Sequence, residues 1–177
     1  MALQRSQPDN QNFLSPVGFK FTIQRLPHIN YFCTSASIPD LTMGQIDTVE
    51  NTFIKLPVPG DKLVFGLLNL TFRIDEDLKN FQEIYNWMIG LGFPDNFSQS
   101  AALRNTNPNR LPQGDTYSDG SLLVTTASYK PNIEVKFTDM YPVSLSSVDF
   151  NLEAQDITYL QGTVNFAYRK YELTTIV

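Results

Sequence analysis

The chain has 177 residues, of which 42% are hydrophobic and only 18% charged, a balance that supports a folded core and excludes a disordered polyelectrolyte. Its formal net charge of −5 excludes a nucleic-acid clamp, which needs a basic stripe to neutralise phosphates. Thirteen Phe and eight Tyr favour β structure, where aromatic rings suit a half-buried pleated face.

The opening stretch, MALQRSQPDNQNFLSP, is polar and carries no apolar run of the kind that directs secretion. No window approaches the length of a membrane-crossing helix. The single Cys33 leaves no internal disulfide framework. These features predict a soluble protein made in a cytoplasm. Residues 1–14 read as a flexible arm, followed by a single domain over 15–177.

From Val17 to Leu26 the alternation of Val17, Phe19, Phe21 and Ile23 predicts a strand with one buried face. Pro27, His28 and Asn30 suggest a turn, and YFCTSASI a second strand. A third strand is expected over residues 45–56, with polar side chains on both faces. Next comes Pro57-Val58-Pro59-Gly60-Asp61. Proline cannot donate a ladder hydrogen bond, so this segment reads as a rigid corner before the next strand. The apolar alternation slips by one residue near Gly66, which predicts a bulge.

Asp75 is the expected N-cap of a helix, with Glu76 and Asp77 placed to suit the positive end of its dipole. Leu78, Phe81, Ile84, Tyr85, Met88 and Leu91 follow at helical spacing, and Leu78, Phe81, Ile84 and Met88 are the expected packing face. Trp87 lies beside that stripe, where it would serve either as the edge of the core or as an interface anchor. Residues 93–119 form a long polar loop. Four extended runs close the chain, with turns expected at Pro131-Asn132 and Tyr141-Pro142. The pattern predicts a mainly β fold, an antiparallel β-sandwich or barrel with one packed α-helix and an extended β-hairpin.

Catalytic and ligand chemistry finds little support. His28 is the sole histidine and has no ligand cluster, so neither a metal site nor a serine nucleophile with its base is expected. No glycine-rich phosphate loop is present. Cys33 reads as a small apolar filler, and the acidic triplet at 75–77 as helix capping. The expectation is a protein that is not an enzyme and carries no cofactor.

The order of these elements, through ASIPDLTMGQIDT, FIKLPVPGDKLVF and DEDLKNFQEIYNWMIGLGFPDNF, resembles the tail-tube family of contractile-tailed bacteriophages. It covers residues 16–94, with a weaker match in GTVNFAYRKYEL. LSPVGFKFTI and IPDLTMG are most similar to the tail completion and sheath stabiliser proteins that terminate the tube. The Gln/Asn-rich arm and the long loop depart from the major tube protein, so a major tube subunit or a baseplate-proximal initiator stays open.

The resemblance implies a virion protein in the phage tail, assembled as a homohexameric ring. Tail tube, sheath or neck proteins would be its partners, and DNA would pass through without specific binding. It further implies that the hairpin, with Gln45, Asp47, Phe53, Ile54, Pro57, Pro59 and Gly60, pairs between subunits, and that Asp47 and Glu50 face the lumen. A monomeric carbohydrate-binding module is the competing class, with Tyr117, Tyr129 and Tyr159 available to stack on sugar.

Overall fold

The computed structural model describes residues 12–48, 56–105, 116–151 and 159–176. Nine strands and three helices lie within them, in the order β1 (Phe19–Ile23), α1 (Pro27–Phe32), β2 (Cys33–Ala36), β3 (Leu41–Thr48), β4 (Leu56–Phe65), β5 (Leu68–Arg73), α2 (Lys79–Gly92), α3 (Phe97–Asn105), β6 (Ser118–Thr125), β7 (Pro131–Leu145), β8 (Gln161–Ala167) and β9 (Lys170–Thr175). All strand pairs are antiparallel.

The long strand β7 organises the main sheet. Its first part lies between β6 and β9, and its last part pairs with β8, which leads through β5 to β2. Asp139 marks the change of partners, with φ at 55° and its carboxylate 3.5 Å from the Arg169 guanidinium. Arg169 also donates its backbone N–H to the Thr138 carbonyl at 3.0 Å, across the break between β8 and β9.

One buried cluster draws on both limbs of this sheet. Phe21, Ile23, Leu122, Val124, Val135 and Phe137 come from the β1–β6–β7 limb, and Leu68, Leu70, Phe72, Val164 and Phe166 from β5 and β8. Alternate residues point inward because strand side chains alternate faces. Helix α2 covers the cluster with Ile84 and Trp87, and Trp87 sits 6.0 Å from the Phe166 ring.

Several expectations change. Pro27–Phe32 is a short helix rather than a turn, with Pro27 in the first helical turn, where a missing N–H costs nothing. The expected 93–119 loop contains α3. Tyr141-Pro142 lies inside β7 and is not a turn, and the turn before β7 precedes Pro131. Residues 146–151 form no strand, and the final extended run is two strands.

Candidate functional site: the projecting hairpin

Strands β3 and β4 pair only with each other and form a separate two-stranded sheet. The foot of this hairpin is anchored. Gly66 donates its N–H to the Asp40 carbonyl at 3.0 Å, and Phe65 packs edge-on against Tyr171 and Tyr168. Beyond the foot, Leu41, Met43, Ile46, Val58, Leu63 and Val64 are all exposed. The register sets Met43 opposite Leu63 and Ile46 opposite Val58. A two-stranded hairpin is marginal alone in water, and one that leaves its apolar pairs uncovered is built to be covered.

Pro57, Pro59 and Gly60 are not a corner between strands, contrary to the sequence expectation. They lie within β4, with Pro57 facing Asp47 and Pro59 facing Gln45. The register shifts between Met43 and Gln45, where β4 carries extra residues. Gly44 and Gly60 meet there so closely that a Cβ on Gly60 would stand 2.7 Å from the Gly44 carbonyl oxygen. A side chain does not fit. Phe53, Ile54 and Glu50 lie outside the described residues, as does the side chain of Asp47.

Helix α2 corrects two further expectations. Its N-cap is Leu78, in a left-handed conformation with φ at 57° and 40% exposed, so Leu78 neither packs inward nor lets Asp75 cap by position. The buried Asn80 organises this end instead. Its carboxamide donates to the Arg73 carbonyl at 2.7 Å and accepts the Phe81 N–H at 2.8 Å. The Asp75 carboxylate still accepts the Asn80 N–H at 3.4 Å. Ile84 is fully buried, and Phe81 and Met88 pack against the core as partly buried side chains.

Trp87 is 1% exposed, its indole N–H donates to the Thr116 carbonyl at 2.9 Å, and the Arg25 guanidinium lies over its ring. Burial inside the protomer removes it as an interface anchor. His28, read as a turn residue, pairs from α1 with the Glu83 carboxylate at 2.5 Å. Cys33 packs against the core, and burial pushes its thiol up to about 11.

The outward face of β5 and β8 went unnoticed in the sequence. Asn69 pairs across with Asn165, and Thr71 with Thr163, on the side opposite Leu70 and Val164. Asn69 donates to the Asn165 carboxamide at 2.8 Å, which donates in turn to the Ser144 hydroxyl at 2.9 Å. Arg73 is the one charge along this stretch of β5. The polar half of the alternation was the available signal.

Among the described residues no group of three His, Cys, Asp or Glu could hold a metal ion, and no helix is long and apolar enough to cross a membrane. Tyr117 and Tyr129 flank opposite ends of β6, roughly 23 Å apart at strand rise. Tyr159 lies apart from both in the chain, over Arg73. Tyr117 and Tyr129 therefore make no common platform for a sugar.

An antiparallel sheet that projects an uncovered apolar hairpin defines a structural protein built to assemble. The chain belongs to the phage tail tube protein family, whose model matches residues 5–174. It is a structural tail tube family protein and not an enzyme. Among solved structures it is similar to the tube-terminating cap of the anti-feeding prophage, at 16% identity and a TM-score of 0.64, over 99% of this chain and 100% of that one. It also resembles a chain from the sheath/tube terminator of an extracellular contractile injection system, at 13% identity and a TM-score of 0.56, over 93% and 99% of the two chains. A chain from the sheath-tube complex of such a system matches at 13% identity and a TM-score of 0.53, over 94% of each. A search of the curated proteins found no match.

Proposed function

We propose that this protein is the terminator of a contractile tail tube, forming a hexameric ring at the tube end. The observation that carries the reading is the projecting hairpin, with apolar side chains that its own domain leaves exposed. Cyclic assembly joins unlike patches on adjacent subunits, so each copy covers its neighbour's hairpin. Likeness to the prophage cap, greater by TM-score than to the sheath-tube chain, supports the tube end over the tube body.

In this reading tube and sheath or neck proteins are the neighbours, and the particle is a phage virion in which DNA passes through the ring. Asp47 and Glu50 are the proposed lumen carboxylates, which would repel phosphate. The polar face carrying Asn69, Thr71, Thr163 and Asn165, with Arg73 as its one charge on β5, would complete a wall whose amides bond to one another rather than to cargo. The arm and the 95–119 segment would meet an unlike partner on the ring's second face.

Electron microscopy of the purified protein, alone and mixed with tubes, tests this reading. Isolated rings that bind only at tube ends are expected. Self-polymerisation into long tubes would identify a major tube subunit instead, and binding only at the baseplate end an initiator.

A further inference from the structure

The proline positions decide which edge of the hairpin is able to accept another strand. Pro57 faces Asp47, Val58 faces Ile46 and Pro59 faces Gln45. In an antiparallel ladder, pairs that exchange both N–H···O bonds alternate with pairs that exchange none. Proline has no N–H, so the pairs at Pro57 and Pro59 exchange none, and Val58–Ile46 exchanges both. Backbone groups of a non-exchanging pair point away from the partner strand. The outer edge of β4 therefore offers carbonyls but no donors at 57 and 59. The outer edge of β3 offers a complete N–H and C=O at Gln45 and again at Asp47.

We propose that β3 is the pairing edge of the hairpin, that its occupant is an edge strand of a second copy of this chain, and that the prolines close β4 to such pairing. The inference rests on the ring reading above and specifies how its subunits join. The chain itself supplies an acceptor. Strand β1 is capped at Ile23, whose N–H and carbonyl bond the Asn30 carboxamide at 2.7 and 3.1 Å. Pro142, paired with Phe166, removes an outward donor from the last part of β7 by the same rule. Strand β2, last in the main sheet, contains no proline and pairs only with β5. Strand β9, which likewise lacks proline and pairs only with β7, is the alternative acceptor. One copy thus carries an open hairpin edge and an open sheet edge, the two unlike halves that head-to-tail closure joins. A single donor-bearing edge also makes the pairing directional and stops hairpins from stacking indefinitely.

The test compares the full-length wild type with Asp47→Pro and with the double variant Pro57→Ala, Pro59→Ala. Asp47 points its N–H away from β4, so Asp47→Pro breaks no bond inside the hairpin. Mass photometry should show a folded Asp47→Pro monomer whose assembly is weakened roughly tenfold or more, and a double variant that assembles as the wild type does. Amide exchange on the wild type gives a second readout that needs no variant. The Gln45 and Asp47 amides should be protected in the assembly and open in the monomer. Unaltered assembly of Asp47→Pro, or open Gln45 and Asp47 amides in assembled wild type, would overturn the edge assignment. Wild-type assemblies of another symmetry would overturn the ring while the variants still report the edge, and a wild type that never self-associates would overturn both.

Discussion

Tyr168 carries its phenol where no partner meets it. The oxygen is buried without a hydrogen-bond partner, and the ring packs among Phe65, Phe137 and Tyr171. Burial, helped by the neighbouring Tyr171 and Asp40, pushes the phenol up to about 12 from 10.0. A group whose folded pKa is raised keeps its full contribution below the unfolded value and loses it as pH rises through the folded one. Stability should therefore be level to about pH 9, where the raised Cys33 thiol begins to act, and fall from there to about 12. Tyr168→Phe removes an unsatisfied hydroxyl, so denaturation at neutral pH should show it as stable as the wild type or more so. Above about pH 10 it should lose less, and an identical alkaline fall would show that Tyr168 is not responsible. At Trp87 the expectation is opposite. Trp87→Phe strands the Thr116 carbonyl and should cost roughly 1–3 kcal/mol by chemical denaturation. Assembly of the remaining folded protein should be unchanged, which separates a core residue from an interface anchor.

Among the elements, the hairpin depends on Gly60. Gly60→Ala drives a methyl group into the Gly44 backbone, and relieving that contact should cost roughly 1–3 kcal/mol within the hairpin. The cost falls on an element that packs little on its own domain, so amide exchange over 41–48 should speed up about 5- to 160-fold. Global stability should stay within about 0.5 kcal/mol of the wild type. A global loss with no local change would mean that the hairpin folds as part of the core. Sequence reading located this element but misplaced its parts. Alternation exposed β1, β5 and β8, because their inward residues are apolar and their outward ones polar. Prolines misled at Pro57–Pro59, at Pro131 and at Pro142, because a ladder tolerates proline wherever its missing N–H is not needed, and a sequence does not reveal that register. Helix α1 spans six residues and α3 has no strong apolar face, so neither leaves a clear period. In α2 the buried line runs through Asn80, Ile84 and Trp87, and the polar Asn80 hid it.

For the whole molecule, the family was legible because its signature is an order of elements, and order survives errors of a few residues at each boundary. Position along the tube was less legible, because it depends on faces that meet other chains. The central claim is that this protein ends the tube rather than builds its length. Copy number in purified intact particles tests that most directly, by quantitative mass spectrometry against the sheath protein of the same particle. A terminator predicts a single ring, six copies per particle, whatever the length of the tail. A copy number that rises with tail length and matches the sheath protein would contradict it.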